Sequence, residues 1–201
     1  MHNFLHTPPS KLVLASGSHY RRALLRRLQL PFDVINVNID ESAGTDESPA
    51  SLAQRLSQQK AQAAPYDGSL DTLFIGSDQV ASCEGEKLGK PMSVEGAVRQ
   101  LAFCAGHLVT FYTGLALWRP AHSLLSCDTI TTQVRLRPLD QEAIERYVEQ
   151  DQPLDCAGSF KWESLGISLF EKLIGDDPTA LEGLPLITLC RRLREHGYQI
   201  P

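Results

Sequence analysis

No stretch of the chain approaches the roughly 18 to 20 consecutive apolar residues of a membrane-spanning helix. The opening MHNFLHTPPSKLVLASGS also lacks a basic leader region and a full-length apolar one. A soluble, cytoplasmic protein with no membrane partner is therefore expected. Cysteine is sparse: Cys83, Cys104, Cys127, Cys156 and Cys190 are odd in number, scattered and free of any C-x-x-C pair. This excludes a disulfide framework and a zinc ribbon and leaves reduced, buried thiols as the expectation. A basic surplus is missing too. The 19 Lys and Arg against 24 Asp and Glu give a net charge of −5, the wrong sign for a protein that coats a nucleic-acid backbone. A local basic pocket for a small phosphate compound stays compatible with that balance. No repeat or low-complexity tract is present, and 201 residues, 42% of them hydrophobic, match one globular domain spanning 1–201.

What is there alternates between strand and helix patterns. KLVLA at 11–15 is too short for a helix and is followed by the turn composition SGSH, then by YRRALLRRLQL with leucines on one helical face. FDVINV at 32–37 reads as a second strand, and Ser48-Pro49 as an N-cap with proline at the first helical position. TLFIG at 72–76 predicts a strand that stops at Ser77-Asp78, with EGEK at 84–87 as a hairpin turn. A helix capped by Ser93, two β-rich stretches joined by RPAH and expected to pair antiparallel, and a helix capped by Asp140 follow. Strand-like patches come next, and a last helix ends in basic residues and Gly197. The pattern predicts a mixed α/β fold, a twisted central sheet with flanking helices and a cleft between two lobes.

Several residues carry chemical potential in this frame. Ser16-Gly17-Ser18, where a strand hands over to a helix, offers backbone N–H groups, hydroxyls and a helix N-terminus to an anion, with Arg21 and Arg22 one turn further in. It is neither a Walker loop nor a G-x-G-x-x-G fingerprint. Asp78, placed at a strand end, would hold a divalent metal or orient a water. Lys60 and Lys90 would neutralise phosphate charge, and Glu41 is an ordinary loop carboxylate when read alone.

Taken together and in this order, LASGSHYRRALL, IDE at 39–41, Lys60, IGSDQV at 75–80, GKP at 89–91, AGSF at 157–160 and GLPL at 183–186 resemble the Maf-type nucleoside triphosphate pyrophosphatases. That family has a mixed α/β fold related to the inosine triphosphate pyrophosphatases. The resemblance implies hydrolysis between the α and β phosphates of a nucleotide, aided by Mg²⁺ or Mn²⁺. It implies that Asp78 accepts the proton of the attacking water, that Ser16, Ser18, Arg21, Lys60 and Lys90 bind phosphate, and that Glu41, with Asp78, is a metal ligand. It also suggests a homodimer. A triphosphate near charge −4 needs such cations and oriented donors.

The chain departs from the family's commonest pattern where Tyr20 replaces an arginine, where Ser77-Asp78-Gln79 replaces ADT, and where FKWES at 160–164 replaces a YGIQG-like segment. Tyr20, Gln79 and Glu163 would therefore set specificity. An ionised Glu163 only accepts hydrogen bonds, which suits the N1–H and N2–H₂ edge of guanine. Tyr20 or Trp162 would stack on the base, and a base methylated at N7 adds a positive charge that an aromatic face attracts. Adjacent side chains of an extended segment point opposite ways, so Trp162 and Glu163 would not both face the base. The same departures resemble the members acting on 7-methyl-GTP. Competing readings are a pyrophosphatase for unmodified nucleotides such as dTTP or UTP, and a nucleotide-binding regulatory protein linked to cell division.

Overall fold

The computed structural model describes residues 7–68 and 70–201. The absence of a leader was read from a stretch whose first six residues lie outside that range. No described helix is long and apolar enough to cross a membrane.

Among the described residues seven strands form one sheet: β1 (Lys11–Ala15), β2 (Asp33–Ile35), β3 (Thr72–Cys83), β4 (Glu86–Leu88), β5 (Leu108–Arg119), β6 (Leu124–Leu136) and β7 (Phe170–Ile174). Their order is β2-β1-β3-β5-β6-β7, with β4 paired to β3. The described residues also form the α-helices α1 (His19–Arg26), α2 (Pro49–Ala63), α3 (Val94–Cys104), α4 (Gln141–Asp151) and α5 (Leu186–Glu195). The mixed α/β class is thus the observed one. By contacts the chain divides into two compact units. The first comprises Met1–Gln79, Thr113–Ile130 and Asp177–Pro201, and the second Val80–Tyr112 and Thr131–Asp176.

In the first unit β1 runs parallel to β2 and β3, with Val13 opposite Asp33 and Phe74. A parallel strand covered on both faces reads as an unbroken apolar run, which is why KLVLA shows no alternation. Its period of two appears only in the packing. Leu12 and Leu14 join Leu24 and Leu25 of α1 and Leu189 and Leu193 of α5. Val13 and Ala15 face the other way, with Phe74 and Ala64. The caps fall where the sequence placed them: the Ser48 side chain accepts from Ser51 N, with Pro49 opening α2. Only four residues separate β5 from β6, too few for a parallel crossover, so the two pair antiparallel.

In the second unit β3 turns into β4 through Glu84 and Gly85, whose φ angles of 48° and 86° suit a tight hairpin. Ser93 and Asp140 cap α3 and α4, which pack on each other. Phe160 meets Phe111 and Phe170 edge to face at 5.4 and 5.0 Å.

Three expectations are corrected. The strand at 32–37 shrinks to Asp33–Ile35, and of the segment 156–175 only Phe170–Ile174 is a strand, the residues before it forming turns and a 3-10 helix. β3 does not stop at Ser77; it continues to Cys83, so Asp78 stands within a strand and not at its end. A run of Ser, Asp and Gln ends a strand when water is their partner, but here each side chain finds a protein partner. The five thiols are free, yet only Cys83 and Cys104 are buried.

His196, at the end of α5, is 3% exposed. Burial, with the Arg119 guanidinium and Arg192 adding to it and Glu195 and Asp71 opposing, lowers its pKa from 6.5 to about 4. Between those values the unfolded chain binds a proton that the folded chain refuses, so stability rises with pH across that window. Urea unfolding at pH 7 and at pH 4 is expected to differ by about 3 kcal/mol from this group. His196→Gln should remove that part of the slope, and an unchanged slope in the variant would contradict the assignment.

Candidate active site

In the first unit two glycines decide where α2 lies. A Cβ on Gly76 of β3 would sit 2.2 Å from the Ser57 carbonyl oxygen and 2.5 Å from Ala61 N; one on Gly114 of β5 would sit 2.3 Å from the Ala53 carbonyl oxygen. The helix backbone therefore rests directly on both strands, an approach only glycine allows. That contact brings Lys60, in the last turn of α2, over Asp78. Lys60 Nζ donates to Asp78 Oδ1 at 2.5 Å and pairs with Glu41 Oε1 at 2.7 Å. Lys60 and Asp78 are 8% and 7% exposed, whereas the Glu41 side chain is 61% exposed. A buried ammonium between two carboxylates has its charge matched without water. No described residue bonds Asp78 Oδ2, and two of the three ammonium protons of Lys60 are engaged, which leaves one.

The turn after β1 forms a second cluster in the same unit. Ser18 caps α1 by accepting from Arg21 N. Ser16 Oγ accepts from Ser18 N at 3.2 Å and from Arg21 Nη1 at 3.4 Å. Arg21 Nε donates to the Gly183 carbonyl oxygen at 2.8 Å, and Ser77 Oγ lies 2.8 Å from the same oxygen and 2.7 Å from that of Gly114. Burial pulls the Arg21 pKa down, and the carboxylates of Asp78 and Glu41 oppose it. The guanidinium thus lies in the field of the Asp78 and Glu41 carboxylates.

Gly183 is the hub of this arrangement. Its φ of 97° is left-handed, a conformation that favours glycine, and it ends a 3-10 helix over Pro178–Glu182. Asp177 and Thr179 lock that segment to α5: Asp177 Oδ1 accepts from Thr179 N and Oγ1, Asp177 Oδ2 from Ile187 N, and Thr179 Oγ1 from Leu186 N. Pro185 at the N-cap has no capping side chain of its own, so these two residues supply it. Gln79 Nε2 bonds the Ala180 carbonyl oxygen at 2.8 Å and Thr113 Oγ1 at 3.1 Å. Its amide protons thus hold the 3-10 helix.

Lys90, Trp162 and Glu163 belong to the second unit. Lys90 and Glu163 are exposed; Trp162 is half-buried, and its indole N–H is buried with no hydrogen-bond partner among the described residues. The expected extended geometry at 162–163 is not found. Residues 162–164 form a turn closed by Ser164 N to the Lys161 carbonyl oxygen at 3.2 Å, so strand alternation does not set the directions of Trp162 and Glu163. Lys161 fixes the turn, its N–H donating to Tyr147 Oη at 2.9 Å and its ammonium to the Asp151 carbonyl oxygen at 2.9 Å.

Sequence reasoning missed Gly76, Gly114, Ser77, Asp177 and Thr179. A glycine inside an apolar strand run was the available signal for the first two. The others act through partners more than thirty residues away or across a cap, which no local pattern shows.

Comparison with known proteins adds the lineage. The chain is 51% identical over 187 residues to the "7-methyl-GTP pyrophosphatase" of Idiomarina loihiensis, covering 92% of this chain and 94% of that one. Proteins of the same name from Aromatoleum aromaticum and Xanthomonas axonopodis pv. citri are 48% and 50% identical, over 96% and 95% of this chain and 98% and 99% of theirs. Among solved structures, the Staphylococcus aureus Ham1 protein gives a TM-score of 0.44 at 15% identity, covering 78% of this chain and 90% of that one. The nucleoside-triphosphatase / dITP/XTP pyrophosphatase of Mycobacterium abscessus gives 0.41 at 11%, covering 92% and 95%. The model of the Maf-like protein family matches residues 11–196, and with relatives of this identity over nearly its whole length the chain belongs to that family.

Proposed function

We propose that the protein hydrolyses 7-methyl-GTP to 7-methyl-GMP and pyrophosphate. The observation that carries the chemistry is the buried Asp78–Lys60 pair with Glu41 on the same ammonium and Arg21 in its field. The relatives' shared name supports the substrate. Asp78 Oδ1 is anchored by Lys60, which leaves Oδ2 to orient a water and take its proton as the water oxygen attacks the α phosphorus. The bond from that phosphorus to the bridging oxygen breaks, and pyrophosphate leaves with the electron pair. Lys60, through its remaining proton, and Arg21 and Ser16 with the N-terminus of α1 offset the charge of the phosphates.

No group of three His, Cys, Asp or Glu side chains suited to a metal occurs among the described residues. Two carboxylates, Glu41 and Asp78, do share one position on Lys60. Hard oxygen donors in that number fit Mg²⁺ or Mn²⁺, which one or two carboxylates and substrate phosphates commonly retain. Bound there, such an ion would supply charge neutralisation of the phosphate oxygens. Lys90 is a further phosphate ligand in this reading. Glu163 accepts from the guanine edge, Tyr20 stacks on the base, and Gln79 contributes to specificity by fixing the backbone at 180–181. The cytoplasm, where nucleotides turn over, is the location this substrate implies.

The test is pyrophosphate release, with Mg²⁺ and then Mn²⁺, across the common ribo- and deoxyribonucleoside triphosphates and 7-methyl-GTP. The highest kcat/KM is expected for 7-methyl-GTP. Equal turnover of pyrimidine nucleotides would refute the base assignment while keeping the chemistry, and binding without pyrophosphate release would refute the enzyme.

A further inference from the structure

The turn that carries Glu163 is tied at both ends to one residue, Asp151, the last of α4. At its start the Lys161 ammonium donates to the Asp151 carbonyl oxygen at 2.9 Å and to that of Gln152 at 3.1 Å, a cation on the final carbonyls of a helix. At its end the Ser164 hydroxyl donates to Asp151 Oδ1 at 2.7 Å, the short length of a bond to a charged acceptor. The Lys161 carbonyl oxygen accepts from Ser164 N at 3.2 Å and from Gly166 N at 2.9 Å, so the backbone closes over the same span. Only Trp162 and Glu163 lie between the two anchors.

We propose that Asp151 is a positioning residue for base selection: holding Lys161 through its carbonyl oxygen and Ser164 through its carboxylate, it fixes the two-residue span from which Glu163 meets the guanine edge. This rests on the substrate reading above. Glu163 is exposed, and a glutamate on an unheld turn would lose both backbone and rotamer freedom when a base binds. Anchors on either side remove the backbone part of that cost in advance and leave only side-chain rotation. The carbonyl anchor belongs to the main chain and survives substitution, whereas the carboxylate anchor does not. Side-chain variants at position 151 therefore release the end of the turn next to Glu163 and keep the other.

The experiment compares kcat and KM for 7-methyl-GTP and for 7-methyl-ITP, which lacks only the N2 amino group, in the wild type, Asp151→Ala, Asp151→Asn, Ser164→Ala and the double variant Asp151→Ala/Glu163→Ala beside Glu163→Ala. Asp151→Ala is expected to reduce the preference for 7-methyl-GTP by about three- to tenfold, chiefly through KM. Ser164→Ala deletes the same bond from the side of the turn without touching α4 and should give the same fall. Asp151→Asn keeps an oxygen for the Ser164 hydroxyl and should recover most of the preference. In the Glu163→Ala background Asp151→Ala should change it no further, which a general loss of folding would not reproduce. A preference unchanged in Ser164→Ala, a loss that Asp151→Asn does not recover, or an undiminished effect without the Glu163 carboxylate would each overturn the inference. A wild type that hydrolyses neither nucleotide, or both equally well, would instead overturn the substrate reading on which it rests.

Discussion

Asp78→Asn is expected to lower kcat/KM for pyrophosphate release by about 100- to 10,000-fold, the usual contribution of a positioned general base. Asparagine keeps the size and an oxygen that accepts from Lys60, but it cannot take a proton from water. Lys60 retains Glu41 at 2.7 Å, so its charge is not abandoned in the interior. Urea unfolding should therefore show a loss of less than about 2 kcal/mol. That separation of a large kinetic effect from a small thermodynamic one distinguishes chemistry from scaffolding. Full activity in the variant would remove Asp78 from the role given to it, whatever the substrate.

Gly76→Ala should damage the same site from beneath. The added methyl would lie 2.2 Å from the Ser57 carbonyl oxygen and 2.5 Å from Ala61 N. Both are backbone atoms of α2 and cannot swing aside as a side chain can. The helix has to lift, at a cost of about 1 to 3 kcal/mol for an overpacked contact. Lys60 moves with it. A displacement of about 1 Å at a catalytic group reduces rate roughly 100-fold, so kcat should fall even in protein that remains folded by circular dichroism. Gly89→Ala is the control for stability, since a Cβ there meets nothing within 4 Å. If Gly76→Ala matched that control in stability and kept the wild-type kcat, the account of how α2 is seated would be wrong.

The cluster of Ser16, Ser18 and Arg21 after β1 was largely legible because its signals are local. Ser16, Ser18 and Arg21 lie within six residues, and a strand, a small-residue turn and a helix announce themselves by composition. Ser48, Ser93 and Asp140 were readable as caps for the same reason, since each acts on an N–H three residues ahead. Asp78 was expected at a strand end but stands within β3. Only the Lys60 ammonium, eighteen residues earlier, and the carbonyl oxygens met by Ser77 and Gln79 let a polar triplet continue a buried strand. The turn at 162–164 escaped for a related reason. It is closed by Lys161, whose own partners are Tyr147 and the end of α4.

The sequence by itself determined the α/β class, the cap positions, the Glu84-Gly85 hairpin and the residue types available for binding a nucleotide, because each depends on spacing within a few residues. Tertiary structure alone decided that Lys60 joins Asp78 to Glu41 and that the Gly183 carbonyl oxygen gathers Arg21 and Ser77. Both are meetings of atoms from distant segments, the first set by how closely Gly76 and Gly114 let α2 approach the sheet and the second by the left-handed turn at Gly183.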